Sequence, residues 1–237
     1  MMERGLDHLV YATPDLDASA EALAERFGTV PVPGGAHPGR GTRNALIGLG
    51  IGVYLEIIGP DPAQPDPEGA RPFLIDDLTD AQLVTWAYRH PDPEAMRDAI
   101  ERRFRDALPD GDVRLGSVSA MSRARPDGSM LRWRLSDPRA LPLGGIVPFV
   151  IHWGTTPHPS TALPNECKLL ELIVTHPEAD TLRPVLDAFR PVVGKADGEP
   201  NQLDSDSSIV SDISTVTARE PGIHARLETP NGKIALS

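Results

Sequence analysis

Three times along this chain an apolar strand runs into a proline–acid corner and then an amphipathic helix. His8-Leu9-Val10-Tyr11-Ala12-Thr13-Pro14-Asp15 aligns with Thr85-Trp86-Ala87-Tyr88-Arg89-His90-Pro91-Asp92, and again with Glu171-Leu172-Ile173-Val174-Thr175-His176-Pro177-Glu178. A repeat constrains the fold more than any single motif, because each copy must bury its apolar face against an equivalent neighbour. In the first copy, residues 6–11 predict a strand that is apolar on both sides. Thr13 is the expected helix N-cap, with Pro14 at the first helical position. Leu16, Ala20, Leu23 and Phe27 then fall on one helical face, and Gly28 ends the helix. Strands expected at 29–32, 44–49 and 51–58 complete a β-α-β-β-β order.

The chain accordingly divides into a first βαβββ module at 1–60 and a linker at 61–80 with a short helix at 73–78. A second module follows at 81–155, and a third, divergent βαβββ-like module at 156–237. The second is expected to hold a helix at 94–104 and strands near 113–119, 131–135 and 148–153. Arg125-Pro126-Asp127-Gly128 is a strong hairpin turn. The third is expected to hold a strand at 169–175, a helix at 179–189, a polar stretch at 195–208, and a closing hairpin turning at Pro230-Asn231-Gly232. The fold class is α+β.

With 40% hydrophobic residues in 237, the chain can bury a substantial core. A formal net charge of −11 argues against nucleic acid and anionic membrane as partners, since both need a basic footprint. No apolar run reaches the roughly 18–20 residues of a membrane span, and the N-terminus has no apolar leader core. The single cysteine, Cys167, excludes disulfides within the chain and a cysteine-based zinc cluster. A cytoplasmic location is the resulting expectation.

The chemistry-bearing residues stand out against apolar strands. Glu56 sits inside Val-Tyr-Leu-Glu-Ile-Ile, where a charge costs several kcal/mol unless paired or metal-bound. His8 interrupts the first strand, and His152 interrupts Val-Pro-Phe-Val-Ile-His-Trp at the place expected to match Glu56. Two histidines and one carboxylate on rigid strands suit a divalent metal with open positions. A strand histidine is also commonly a hydrogen-bonded core residue, and a strand glutamate a salt-bridge partner. Pro33-Gly34-Gly35-Ala36-His37-Pro38-Gly39-Arg40-Gly41-Thr42-Arg43-Asn44 reads as a glycine-rich loop whose four glycines allow close backbone approach, with His37, Arg40 and Asn44 able to bind oxygens. Arg123 and Arg125 could clamp a carboxylate or phosphate. Trp86, Trp133 and Trp153 read as core. No G-x-S-x-G or His-Glu-x-x-His motif occurs.

Several of these stretches together resemble the glyoxalase-like domain of the vicinal oxygen chelate superfamily. They are Leu6-Asp7-His8-Leu9-Val10-Tyr11, the glycine-rich stretch through Asn44, Tyr54-Leu55-Glu56-Ile57-Ile58, Ser122-Arg123-x-Arg125-Pro126-Asp127-Gly128 and Pro148-Phe149-Val150-Ile151-His152-Trp153. The resemblance implies paired βαβββ modules whose curled mixed sheets form a cup, with helices outside. It implies one divalent metal (Zn, Mn, Ni, Mg or Fe) chelating adjacent substrate oxygens, with His8, Glu56 and His152 at the ligand places. Thr85, a poor ligand, holds the remaining place. Glu56 would ligate or move a proton, while His37, Asn44, Arg123 and Arg125 orient a small organic substrate.

Three functions follow from the resemblance. One is metal-assisted lyase or isomerase chemistry. Another is a metal-free, bleomycin-resistance-like binding protein that sequesters a drug or metabolite. A third is extradiol-type dioxygenation. A homodimer is compatible with each.

Overall fold

A computed structural model describes residues 4–124, 128, 130–189 and 213–237. The first unit comprises β1 (Gly5–Ala12), α1 (Leu16–Phe27), β2 (Val32–His37), β3 (Thr42–Gly48) and β4 (Tyr54–Pro60). The second comprises β5 (Gln82–Arg89), α2 (Pro93–Ala107), β6 (Ser119–Ala124), β7 (Met130–Leu135) and β8 (Phe149–His152). They join edge to edge in one eight-stranded sheet, ordered β2-β3-β4-β1-β5-β8-β7-β6. In each unit the opening strand pairs parallel with the last, β1 with β4 and β5 with β8. The seam between units is the antiparallel pair β1–β5. The sheet's twist brings its two ends, β2 and β6, into contact, and the curled sheet encloses a cup.

Capping chemistry places the helices. Asp15, not Thr13, is the N-cap of α1, accepting the Ala18 N–H at 3.1 Å. Thr13 instead accepts the Asp15 N–H at 3.0 Å and so turns the chain into the helix. Asp92 repeats the cap for α2, accepting the Ala95 N–H at 3.0 Å. Gly28 ends α1 at φ 73°, a left-handed position that glycine occupies without strain.

Two apolar layers separate along the alternation of the strands. One lies outside the curl: Leu9, Trp86 and Val150 pack there with Phe27, Ile100 and Phe104. The other lines the cup and includes Val10, Tyr54, Ile58, Phe149, Ile151 and Trp153. Trp86 is core, as expected, donating to the Ile146 carbonyl at 2.9 Å. Trp133 and Trp153 are buried as expected and also line the cup.

Three expectations shift. The glycine-rich stretch expected as a loop forms β2 and its tight turn, paired with β3 through a register shift between Pro33 and Gly35. The strand expected near 113–119 begins only at Ser119. Val113 and Leu115 are buried in the outer layer as irregular chain, so their apolar character reflects burial without a ladder. The short helix expected at 73–78 is a 3-10 segment, Pro72–Asp77.

The third unit comprises β9 (Lys168–His176), α3 (Ala179–Asp187), β10 (Ile213–Thr217), β11 (Gly222–Thr229) and β12 (Gly232–Leu236). It forms its own sheet, ordered β10-β9-β11-β12. Here the opening strand pairs parallel with β10 and antiparallel with β11. This pairing differs from that of the first two units. Phe189 ties the unit to the outer layer, its ring centroid 5.1 Å from Tyr88 and 5.7 Å from Trp86. The polar stretch 195–208 lies outside the described residues.

Candidate functional site

The cup interior is lined by apolar rings around a polar floor. Leu46, Ile58, Phe73, Phe149, Trp133 and Trp153 supply apolar wall. The floor is a hydrogen-bonded chain on adjacent strands of the first unit. Asn44 on β3 donates from Nδ2 to Glu56 Oε1 on β4 at 2.5 Å. The same Nδ2 lies 3.4 Å from His37 Nε2. His37 Nδ1 lies 3.1 Å from Thr42 Oγ1, so a proton on Nδ1 satisfies both ends of the ring. Burial removes water from His37 and pushes its imidazole below the ordinary range. Glu56 opposes that shift, and the positive charges of Arg123 and Arg40 reinforce it.

His8 enters from β1, with Nε2 3.6 Å from Glu56 Oε2. Its ring stacks on Tyr54 at 4.6 Å between centroids, 18° from parallel. Burial first, then the negative charges of Asp7 and Glu56, holds the Tyr54 phenol well above its usual range and keeps it protonated.

Arg123 reaches the cup from β6, on the opposite edge of the sheet, and is buried. The paired glycines make room for it. A Cβ at Gly35, where φ is 128°, would stand 2.9 Å from Arg123 Nη1. A Cβ at Gly34 would stand 2.1 Å from Asn44 Oδ1, too close for any side chain. Glycines expected to admit a ligand to the backbone thus admit the Asn44 and Arg123 side chains.

The structure therefore brings His8, His37, Asn44, Glu56 and Arg123 together. His152 is not with them. In β8 and directly after it, Phe149, Ile151 and Trp153 line the cup, and His152 lies on the other face, paired in register with Arg134. Val10 pairs with Glu56, and Ala87, its counterpart in the repeat, pairs with Phe149. Phe149 therefore holds the place of Glu56, and His152 lies an odd number of residues beyond it, which turns it outward. Arg125 lies outside the described residues. Glu171 is away from the cup, paired with Arg226 at 3.0 Å.

One residue behind the cup wall, against His8, carried no signal of its own in the sequence. Asp7 is fully buried, and its carboxylate meets four side chains. His8 Nδ1 lies 2.7 Å from Oδ1. Arg89 Nη1 at 2.8 Å, Trp153 Nε1 at 3.1 Å and His158 Nε2 at 3.1 Å all meet Oδ2. Burial by itself would raise the Asp7 carboxyl. Hydrogen bonds from His158 and His8, with their charges, prevail and hold it far below the usual carboxylate range.

A divalent metal is the cofactor implied by the resemblance, and the donor atoms can be tested against it. His8 Nε2 and Glu56 Oε2 converge, but among the described residues no group of three or more His, Cys, Asp or Glu side chains has metal-holding geometry. His37 Nε2 lies 3.9 Å from Glu56 Oε1, and that oxygen is taken by Asn44. The second unit contributes Thr85 and Phe149 at the matching places and a cationic Arg123 to the same cup. These residues do not make a closed metal site. Purified protein treated with EDTA is expected to melt at the same temperature as protein supplied with Mn2+, Zn2+ or Fe2+, because a ligand stabilises only what binds it. Differential scanning calorimetry of the two samples checks this.

Two curled βαβββ units share one cup with a buried histidine–carboxylate floor, the fold of a cup of the vicinal oxygen chelate type. Residues 6–189 match the family described as a glyoxalase-like domain, and the chain belongs to that family. Among solved structures, a hypothetical protein from Staphylococcus aureus aligns over 92% of this chain and 88% of its own. It does so with a TM-score of 0.54 and 15% identity. A methylmalonyl-CoA epimerase from Mycobacterium tuberculosis covers 63% of this chain and 88% of its own, with a TM-score of 0.38 and 19% identity. A methylmalonyl-CoA epimerase in complex with methylmalonyl-CoA and NH4+ covers 66% and 99%, at 0.39 and 18%. No curated protein matches the chain. Among the described residues no helix is long and apolar enough to cross a membrane.

Proposed function

We propose that the cup binds a small oxygen-bearing organic anion and moves a proton on it, in an isomerase- or lyase-type reaction. The observation that carries this reading is the meeting of His8 Nε2 and Glu56 Oε2, 3.6 Å apart, on the floor of an apolar cup. Two proton-accepting atoms facing one another in a water-poor site are placed to take and return a proton at one substrate atom. Arg123 is the group that would hold the substrate's negative oxygen, and Tyr54, kept protonated, would donate to a second. Asn44 holds Glu56 in place.

The residues present supply two converging donors toward a metal, so no step is routed through one. The dioxygenase alternative needs two histidines and a carboxylate on one centre, and His152 lies off the cup. His37 faces the Glu56 oxygen that Asn44 already occupies, so His8, His37 and Glu56 do not form that set. The sequestering alternative draws on the aromatic wall of Phe73, Phe149, Trp133 and Trp153. The test is proton-specific. The protein is incubated in D2O with a panel of 2-oxo and 2-hydroxy carboxylates and acyl thioesters, and carbon-bound deuterium is read by NMR. Incorporation at the carbon beside a carbonyl is expected for at least one class. Binding by calorimetry without incorporation for any class would favour sequestration instead.

A further inference from the structure

We infer that Asp7 is a positioning residue that fixes which nitrogen of His8 faces the cup without a proton. This rests on the proposed proton-transfer reading of the cup. The geometry begins with a fault in the ladder. Between β1 and β5, Leu6 pairs with Tyr88 and His8 pairs with Ala87, so Asp7 is an extra, unpaired residue in the strand. Successive residues of a regular strand point to opposite faces, and Asp7 would then lie away from His8. The bulge re-aims it, and Oδ1 comes to 2.7 Å from Nδ1 of its own neighbour.

The two carboxylate oxygens carry different partners. Oδ2 receives Arg89 Nη1 and Trp153 Nε1, which can only donate, together with His158 Nε2. Oδ1 is left for His8. A carboxylate oxygen accepts, so His8 Nδ1 must carry the proton, and a neutral His8 then has a bare Nε2. That is the atom 3.6 Å from Glu56 Oε2. His8 is thereby held as an acceptor toward the cup, and it cannot rotate its ring without losing the Asp7 bond.

The same asymmetry makes the inference testable with one atom changed. In Asp7→Asn, the donors Arg89 and Trp153 hold the amide oxygen at the former Oδ2 position. The amide NH2 then faces His8 Nδ1, which must accept, and the proton moves to Nε2. Long-range 1H–15N correlation spectra of the imidazoles at alkaline pH, where histidine is neutral, report which nitrogen is protonated. The wild-type protein is expected to show Nδ1–H at His8 and Asp7→Asn to show Nε2–H. His158→Gln, which leaves Arg89 and Trp153 on Oδ2, is expected to keep the wild-type form.

An Nε2–H tautomer in the wild type overturns the inference, and that measurement stands even if Asp7→Asn fails to fold. So does an Asp7→Asn spectrum that retains Nδ1–H. On a substrate found in the deuterium panel, Asp7→Asn is expected to lose about a hundredfold or more in kcat while KM stays within a few-fold. If no compound exchanges, the proton-transfer reading fails by itself, and the tautomer result still decides the role of Asp7.

Discussion

Replacing Glu56 by glutamine is expected to cut carbon-bound deuterium incorporation by about 10²–10⁴-fold while leaving the protein folded. The range is what a positioned acid–base group contributes. Glutamine keeps the volume of glutamate, and its amide oxygen can take the hydrogen bond that Asn44 Nδ2 gives to Glu56 Oε1 at 2.5 Å. Its NH2 then faces His8 Nε2 across the gap where Glu56 Oε2 stood, as a donor to a bare acceptor. The polar floor stays satisfied, so stability by urea titration should change by about 1 kcal/mol or less. The Glu56 acceptor is gone and a donor faces the second acceptor, His8 Nε2, so the pair can no longer share a substrate proton. Unchanged exchange in the variant would remove Glu56 from the proton path and leave His8 to act alone.

The second large effect concerns stability. Asp7→Ala is expected to cost about 3–5 kcal/mol, the usual loss when one partner of a buried ion pair is removed. Arg89, 8% exposed, would be left facing a cavity, and Trp153 Nε1 and His158 Nε2 would lose the oxygen they share. Adding Arg89→Met to Asp7→Ala is expected to recover part of that loss. The second change removes the buried charge that has lost its carboxylate and fills space with apolar atoms.

The pH dependence has a defined sign. The folded Asp7 carboxyl lies far below its unfolded value of about 3.9, so its contribution is complete above that value. It is lost as pH falls from there toward the folded value. The gap between wild type and Asp7→Ala, measured by denaturant midpoints, should therefore be constant near neutrality and narrow below about pH 4. A gap that widened in acid would contradict the buried, ionised state of Asp7.

The modular plan was legible in the chain. The strand, proline–acid corner and helix of each unit follow from local alternation, capping and a glycine stop, which act within a few residues of one another. His8 and Glu56 were legible for a similar reason, since a titratable group in an apolar strand needs a partner wherever the strand lies. Asn44, His37 and Arg123 could be singled out by type, but their roles toward each other depend on β2, β3 and β6 meeting around the cup. The glycine-rich stretch misled because its permissive backbone suits a loop and a crowded strand equally. Space is needed there for the Asn44 and Arg123 side chains, and no periodicity records that need.

His152 and Asp7 mark the limit of the sequence from opposite directions. Both lie in strands whose existence the residues themselves determined. Which face each side chain takes was decided by pairing between strands far apart in the chain. β8 takes its register from β5, and that register puts Phe149, Ile151 and Trp153 in the cup with His152 behind them. β1 gains one extra residue against β5, and that residue is Asp7, turned to the side of His8. A shift of one residue in a ladder reverses the face of every side chain beyond it. Local sequence therefore settled that the segments around Asp7 and His152 are strands, and the β1–β5–β8 pairing settled which face each of these two side chains takes.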